Sequence, residues 1–269
     1  MTHYSERKVP KNFEDTSYMQ STRKYLIEKI ANALSEPEKT IFMGLNNIII
    51  FFDRNVDSQK LPDSTFDKIL KILQGRDIDF EYKERLYNFL ETVDKLPSEK
   101  RRKRIYYLLR EHFENSIKNV KRRYQVLDAN KIEELRTGEH PTFTIETVLL
   151  FPKLDFDILD KISRKYTMGA KMGDDMTDFQ DDVKQGFLYV PKKHVNKVKG
   201  IEVIDDHYKV TGEPILEKNY IQQELKEAKR IFKEGDLIAR GLNFPTHFEY
   251  FRGMMYSWIE EAEEEGILI

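Results

Sequence analysis

The segment from Ile41 to Phe52 constrains the fold more than any other part of this chain. It reads Ile-Phe-Met-Gly-Leu-Asn-Asn-Ile-Ile-Ile-Phe-Phe and is apolar around nearly the whole circumference of a helix, the pattern of a helix buried on every side. Asp53 and Asp57 follow directly and share a face, because residues four positions apart lie on the same side of a helix. Two like charges in such a place need a counter-ion, either Lys, Arg or a divalent cation.

The rest of the chain is also patterned as helices, roughly eight or nine in all, separated by short breaks. The longest predicted helices cover residues 98–128 and 156–184. An alternating stretch near residues 195–214 predicts a small hairpin or irregular insertion. Because no Gly-, Pro- or Ser-rich linker divides the sequence, we predict a single all-α domain over residues 16–269, preceded by a flexible arm at residues 1–15.

The composition excludes several classes of protein. With 39% hydrophobic and 12% aromatic residues, the chain can bury a substantial core. Its 45 basic and 47 acidic residues give a net charge of −2, which does not favour a nucleic-acid partner. The absence of cysteine excludes disulfides and thiolate chemistry and is typical of a reducing compartment. No apolar run is long enough to cross a membrane, so we expect a soluble, cytoplasmic protein of undetermined oligomeric state.

A second group of aspartates lies on the predicted helix 156–184. Asp174, Asp178 and Asp182 recur every four residues and form one stripe, and further aspartates flank it. Carboxylate oxygens are the ligands that Mg²⁺ prefers, so two such faces pointed at each other would form a clamp for a metal-bound diphosphate. The apolar residues of this helix lie on the opposite side, however, so a plain solvated acidic face explains the stripe equally well.

Several basic residues also allow two interpretations. Lys171 lies on the same face as the aspartate stripe and can contact a phosphate or simply neutralise the aspartates. Arg122 and Arg123, with Tyr124, can reach a diphosphate, but nothing in their spacing requires it. The basic run at residues 99–104 is interleaved with acidic residues, which favours a solvated helix over a nucleic-acid or membrane surface.

Residues 173–191 resemble the second signature of the squalene/phytoene synthase family, which belongs to the class I isoprenoid and terpene synthases. The segment reads Gly-Asp-Asp-Met-Thr-Asp-Phe-Gln-Asp-Asp-Val-Lys-Gln-Gly-Phe-Leu-Tyr-Val-Pro. The residues that fall in register with the signature are Asp178, Asp181, Asp182, Gly186, Tyr189 and Pro191. The resemblance implies a helical bundle of isoprenoid-synthase type around a central cavity, with the two acidic groups facing each other across it.

The resemblance also implies Mg²⁺ as the cofactor and an allylic prenyl diphosphate as the substrate. The implied metal ligands are Asp53, Asp57, Asp174, Asp178, Asp181 and Asp182. Of these, the residues assigned to catalysis are Asp53, Asp57, Asp178 and Asp182. Lys171 and Tyr189 are assigned to binding the metal-diphosphate group. The residue types suit this chemistry, because Mg²⁺ held by carboxylates neutralises the departing diphosphate and an aromatic-rich cavity shields a carbocation from water.

The sequence therefore predicts a prenyltransferase that couples two prenyl diphosphates head to head. Two departures from the family pattern keep a second function open: Ile50 replaces a usual Arg, and residues 142–148 replace a small-residue break. Both touch the parts that position a second prenyl group, so a class I terpene cyclase acting on one prenyl diphosphate is the main alternative. An all-helical Mg²⁺-dependent diphosphohydrolase and a non-catalytic interaction protein also remain open, as does a peripheral membrane contact for a lipophilic product.

Overall fold

The computed structural model describes residues 17–57, 61–62, 64–138, 140–242, 244 and 247–268. Within these ranges, the side chains of residues 17–23, 46–47, 50, 53–54, 57 and 265–268 are not described. The described residues form eleven α-helices and one small sheet, which confirms the predicted all-α class. The helices are α1 (Ser17–Ala31), α2 (Glu36–Asp57), α3 (Ser64–Leu73), α4 (Lys83–Asp94), α5 (Glu99–Val120), α6 (Ala129–Thr137), α7 (His140–Leu150), α8 (Phe156–Thr177), α9 (Phe179–Gln185), α10 (Lys218–Ala239) and α11 (His247–Leu268). The predicted arm at residues 1–15 lies outside the described residues.

Helix α8 lies at the centre of the bundle, where it packs against α6, α7, α10 and α11. It approaches α11 so closely that a Cβ atom added to Gly173 would lie 2.6 Å from the carbonyl oxygen of Trp258. Helix α2 packs against α4 and α7, and its side chains Phe42, Leu45 and Phe52 are fully buried. No helix in the part of the chain that the structure describes combines the length and apolarity needed to cross a bilayer.

The predicted insertion is a two-stranded antiparallel hairpin, β1 (Val198–Ile204) and β2 (His207–Leu216), preceded by a 3₁₀ helix (Lys192–Lys197). It is tied to the turn that follows α5, since the amide of Tyr208 donates to the carbonyl of Tyr124 at 2.8 Å. The amide of Val126 likewise donates to the carbonyl of Asp206 at 2.8 Å. The hairpin therefore covers the end of α5 instead of projecting freely.

Two predicted helices are shorter than the sequence pattern indicated. The helix predicted over residues 98–128 ends at Val120, and Tyr124, whose φ of 60° lies outside the right-handed helical region, prevents the rest of the stretch from forming one helix with it. The remaining residues of that stretch form a turn that leads into the separate helix α6. The helix predicted over residues 156–184 divides at Asp178 into α8 and α9.

Candidate active site

The first acidic pair lies in the last turns of α2. The side chains of Asp53 and Asp57 are outside the described part of the structure, but their helix is placed by its neighbours. Arg123 Nη2 donates a hydrogen bond to the carbonyl oxygen of Val56 at 2.8 Å. The same guanidinium lies 5.2 Å from the ring centroid of Phe187, in the segment that leaves α9. The end of α2 and the exit from α9 are therefore adjacent.

The second acidic group lies where α8 ends and α9 begins. Asp178 has a φ of −90° and a ψ of 11°, so the helix axis bends at this residue. Its amide still donates to the carbonyl of Asp174 at 2.9 Å. The amide of Asp182 in turn donates to the carbonyl of Asp178 at 2.9 Å. The predicted spacing of the three aspartates is thus retained, although they do not lie on one straight helix.

Lys171 forms an ion pair at the start of this group. Its Nζ donates to Asp174 Oδ2 at 2.6 Å and lies 3.6 Å from Asp175 Oδ1. Neutralisation of the aspartates, one of the two roles that the sequence allowed for Lys171, is therefore present in the structure. The other predicted role, binding a phosphate, stays a prediction.

Arg136 on α6 is a buried cation that the sequence reasoning missed. Its Nε donates to Asp175 Oδ2 at 2.6 Å, and its Nη1 donates to Glu224 Oε2 at 3.2 Å. Its Nη2 donates to the carbonyl of Tyr189 at 3.3 Å. A signal was present in the sequence, because Arg136 shares a helix face with the apolar Ile132, and a charge on an apolar face needs a buried partner.

The other three aspartates form no ion pair within the described residues. Asp178 and Asp181 are exposed and line an outer cleft of about 320 Å³ beside the hairpin. Asp182 points inward, and its Oδ2 atom is buried without a hydrogen-bond partner among the described groups. The bend therefore directs Asp178 and Asp182 towards different cavities.

The carboxyl groups of Asp178 and Asp182 hold their protons more tightly than ordinary aspartates. Burial, assisted by the charge of Asp174, raises the pKa of Asp178 to about 6, although its side chain reaches solvent on one side. Burial also raises the pKa of Asp182 well above its usual range, against the opposing attraction of Lys171. A raised carboxyl pKa means that the site disfavours further negative charge, so a bound cation would be favoured here.

An inner cavity of about 80 Å³ lies between α5, α8 and the segment after α9. Lys171 and Asp182 supply its charged side chains, and Phe66, Phe187 and Tyr189 supply aromatic walls. Helix α5 lines it with His112, Ser116, Asn119 and Val120. Pockets that hold small molecules usually measure several hundred Å³, about 300 or more. A prenyl chain would therefore have to widen this cavity on entry.

Two positively charged side chains lie over aromatic rings at the cavity wall. Arg123 covers Phe187, and the rings of Phe187 and Tyr189 stack with their centroids 6.4 Å apart and their planes 9° apart. Lys171 lies 5.6 Å from the centroid of Tyr189. Such contacts hold a cation by the negative face of the ring. The structure thus brings Lys171 and Tyr189, both assigned to diphosphate binding, to the same wall.

The turn that follows α5 contacts the turn that follows α9, and both contain a residue with a positive φ. The amide of Tyr124 donates to the carbonyl of Gly186 at 2.6 Å, and Gly186 has a φ of 102°. A Cβ atom on Gly186 would lie 3.1 Å from the ring of Tyr124 and 3.2 Å from Arg123 Cβ. Arg122 points elsewhere and pairs with Glu134 at 3.2 Å. Of the two arginines considered from the sequence, Arg123 is therefore the one that contacts a ring lining the cavity.

One carboxyl group at the bend suits a divalent cation. Asp182 offers a hard oxygen ligand at the inner cavity, and its buried Oδ2 atom has no hydrogen-bond partner among the described groups, whereas Asp178 lines the outer cleft. Among the side chains that the structure describes, no three His, Cys, Asp or Glu residues converge into a metal site. The side chains of Asp53 and Asp57 lie outside the described part of the structure, so a metal site shared between the two acidic groups stays a prediction.

No protein-family model matches the sequence, and no curated protein matches it in a sequence search. Solved structures do resemble the fold. A single-substitution variant of cucumene synthase superposes with a TM-score of 0.59 at 7% identity, over 97% of this chain and 98% of the other. A double mutant of the SVS_A2 protein from ancestral sequence reconstruction gives a TM-score of 0.51 at 13% identity, over 93% of this chain and 84% of the other.

Both similarities cover nearly the whole chain. Because the sequence identities are only 7% and 13%, they carry information about the fold alone. They agree with the predicted all-α fold, and they do not support the squalene/phytoene branch specifically. The chain has an all-α, isoprenoid-synthase-like fold that is similar to that of cucumene synthase.

Proposed function

We propose that this protein is a Mg²⁺-dependent class I enzyme that ionises an allylic prenyl diphosphate, with terpene synthesis from a single substrate as the leading reaction. One observation carries the proposal. Asp182 Oδ2 is buried without a hydrogen-bond partner among the described residues, and Asp182 lines the inner cavity together with Lys171. A carboxylate lacking a partner beside an ammonium group suits a metal-bound diphosphate.

The charged residues at the cavity would bind the metal ion and the diphosphate. Asp182 would hold Mg²⁺ at the inner cavity, with Asp53 and Asp57 as the expected ligands from the opposite side. Asp178, the other predicted ligand at the bend, lines the outer cleft and would have to turn inward to reach the same ion. Bound Mg²⁺ supplies Lewis-acid neutralisation of the charge that develops on the leaving diphosphate. Lys171 would exchange its contact with Asp174 for a phosphate oxygen, since its ammonium group is a mobile donor on a flexible stem.

The aromatic side chains would serve the other half of the reaction. Phe66, Phe187 and Tyr189 line the cavity and would cover part of a bound substrate. Their ring faces carry negative electrostatic potential, which favours a carbocation over its hydration. Exclusion of water matters because a trapped water molecule would convert the cation to an alcohol.

A single substrate would require less rearrangement of the cavity than two substrates. The cavity of about 80 Å³ must already widen for a single prenyl chain, and a second chain would require further rearrangement. Head-to-head coupling is retained as the second candidate on one observation. The segment from Asp178 to Pro191, which resembles the squalene/phytoene signature, leads from the bend directly along the cavity wall through Phe187 and Tyr189.

The test is diphosphate release with mass spectrometry of the organic extract, using purified protein, Mg²⁺ and geranyl, farnesyl or geranylgeranyl diphosphate. The variants are Asp178→Asn and Asp182→Asn, with Asp79→Asn as a matched control because Asp79 is an exposed loop residue outside the cavity. We expect wild type and the control to release diphosphate and the two test variants to lose at least about a hundredfold in rate.

The carbon number of the product separates the candidates. A product of unchanged carbon number supports the single-substrate reaction, and a doubled carbon number supports head-to-head coupling. Free prenol from wild type would point to the hydrolase, whereas no release from any of the three substrates would contradict the proposal.

A further inference from the structure

A second cavity of about 330 Å³ lies between the first turns of α5 and α8 and the end of α7. We call it the α5–α8 cleft, and residues from the ranges 98–104, 148–152 and 154–159 line it. Its Arg104 and the Val120 of the inner cavity lie about 24 Å apart along the axis of α5. The described residues that line the two cavities have no member in common. A molecule in the α5–α8 cleft would therefore leave the inner cavity free.

Three basic side chains of α5 line this cleft: Lys100, Arg101 and Arg104. Arg101 is held in place, because its Nη2 atom donates to Glu38 Oε1 at 2.8 Å and to two carbonyl oxygens at the end of α7 at 3.3 and 3.1 Å. Its Nε atom is nevertheless buried without a hydrogen-bond partner among the described residues. The cleft therefore contains a fixed, buried donor group that a bound anion would satisfy.

The other two cations of the cleft are not neutralised. Neither Lys100 nor Arg104 forms an ion pair with a carboxylate in the part of the chain that the structure describes. The guanidinium carbon of Arg104 lies 3.2 Å from the ring centroid of Phe156, a contact that positions the group at the cleft wall but leaves its charge in place. An anion is therefore the missing partner of these two side chains.

Two acidic side chains, Asp155 and Asp157, also line the cleft. Asp155 Oδ1 is occupied by the first backbone amides of α8, from which it accepts hydrogen bonds at 2.9 and 3.3 Å. Asp157 is exposed in the first turn of α8. The three basic and two acidic lining residues thus leave an excess of positive charge, and this excess lies on α5.

The rest of the cleft is mostly apolar. Its apolar side chains are Val148, Phe151, Pro152, Leu154, Phe156 and Leu159. An inorganic anion would leave this surface uncovered, and a neutral lipid would leave the cations without a partner. A ligand that joins an anionic group to an apolar chain satisfies both. The cleft also falls within the usual size range of small-molecule pockets, about 300–1,000 Å³.

We propose that the α5–α8 cleft is a second ligand site, which binds the phosphate ester of a long-chain alcohol or lipid. Arg104 and Lys100 contact the phosphate oxygens, Arg101 Nε supplies the buried donor, and the chain lies against Leu154 and Phe151. The ligand comes either from solution or from a membrane that contains anionic phospholipid, since the phosphate chemistry is the same. The proposed enzymatic function is not required for this site, because no residue of the inner cavity takes part.

The test is isothermal titration calorimetry of the full chain with decyl phosphate, kept below its critical micelle concentration and in EDTA to exclude metal-dependent binding. Decanol and inorganic phosphate are the comparison compounds, and wild type should bind decyl phosphate at least about tenfold more tightly than either. Arg104→Gln should weaken the binding of decyl phosphate at least about tenfold. Lys100→Gln should weaken it about threefold, and because Lys100 is exposed, this variant tests the site even if Arg104→Gln folds poorly.

Two control variants locate the ligand. Arg110→Gln removes the same charge from the same helix, but Arg110 is exposed and does not line the cleft, so binding should be unchanged. Asp182→Asn alters the inner cavity and should also leave the binding of decyl phosphate unchanged. Sedimentation with vesicles of phosphatidylcholine, alone or mixed with phosphatidic acid, tests the membrane as the source of the phosphate.

Binding of monomeric decyl phosphate that Arg104→Gln and Lys100→Gln weaken supports the site with a soluble ligand. Binding only to the vesicles that contain phosphatidic acid, weakened by the same variants, supports it with a membrane lipid. No binding of either probe overturns the proposal, as does equal binding by wild type and both cleft variants. Binding that Asp182→Asn weakens and the cleft variants do not would place the ligand in the inner cavity instead. A failure to release diphosphate from prenyl substrates, in contrast, would affect only the proposed function.

Discussion

Arg136 Nε donates to Asp175 Oδ2 at 2.6 Å inside the protein, where the exposed fractions of the two side chains are 7% and 0%. This pair joins α6 to the central helix α8 one residue beyond Asp174. It therefore fixes the position of the helix that carries the second acidic group. Its consequences can be measured separately from any enzymatic activity.

We expect Arg136→Met to destabilise the fold by about 3–5 kcal/mol, because the substitution leaves the buried Asp175 carboxylate without its strongest partner. Combining it with Asp175→Asn should recover part of the loss, since the stranded charge is then gone. Urea denaturation measures both effects. Arg110→Met is the control: it breaks an exposed pair with Glu114 and should cost less than about 1 kcal/mol. Equal costs for the buried and exposed pairs would contradict this account of Arg136.

The raised pKa of Asp178 predicts a pH-dependent stability in the absence of Mg²⁺. The pKa of about 6 in the folded protein lies above the usual 3.8, so the folded state binds the proton more tightly than the unfolded chain. The contribution of this group to stability is therefore present at low pH and is lost as the pH rises through about 6. Asp178→Asn removes that loss.

The melting temperature of Asp178→Asn relative to wild type should consequently increase between pH 4.5 and pH 7.5, measured in EDTA. Asp79→Asn, at an exposed position, should show no such trend. A difference between Asp178→Asn and wild type that stays constant over this pH range would mean that the carboxyl titrates normally.

Much of the fold could be predicted from the sequence because the relevant signals are local. The four-residue spacing of Asp174, Asp178 and Asp182 depends only on helix geometry and is retained. The apolar segment of α2 does form a helix with a buried face, but the prediction that it is buried on every side is wrong, because Met43 is 41% exposed. The hairpin likewise follows from alternation around an Asp-Asp turn, where Asp205 has a φ of 55°. Each of these features is decided within about ten residues of chain.

What could not be predicted depends on residues far apart in the chain. The partner of Asp175 is Arg136 on another helix, and periodicity cannot identify which cation meets which carboxylate. The bend at Asp178 could not be predicted either, because the helical pattern of the sequence continues through this residue. Its effect is to send Asp178 to an outer cleft and Asp182 to the inner cavity, a separation that only the packing reveals.

The close approach of Gly186 to Tyr124 gives a prediction about the turn beside the cavity. Gly186→Ala should destabilise the protein by more than Gly75→Ala, although both glycines have positive φ values, 102° and 78°. At Gly75 an added Cβ meets nothing within 4 Å, so only the backbone cost of about 1–2 kcal/mol applies. At Gly186 the methyl group also presses on the Tyr124 ring at 3.1 Å. Thermal unfolding of the two variants measures the difference, and equal losses would show that the turn yields freely.

The proposed metal site predicts stabilisation by ligand binding even without a prenyl substrate. Mg²⁺ with inorganic diphosphate, each well above its dissociation constant, should raise the unfolding free energy of wild type by about 2.7 kcal/mol at a hundredfold excess. The increase in melting temperature should be several degrees and should disappear in EDTA. Asp182→Asn should abolish most of it, because this carboxylate supplies the buried oxygen that lacks a partner among the described residues.

Two controls make the result specific. Asp79→Asn should retain the full shift, since Asp79 lies on an exposed loop outside the cavity. Lys171→Gln should reduce the shift given by Mg²⁺ with diphosphate but not remove a shift given by Mg²⁺ alone, because its predicted contact is to phosphate. If Asp182→Asn responds to Mg²⁺ and diphosphate as wild type does, the metal is not bound at the bend between α8 and α9. Burial of Asp182 would then be explained by protonation alone, because burial raises the pKa of this carboxyl group well above its usual range and favours its neutral form.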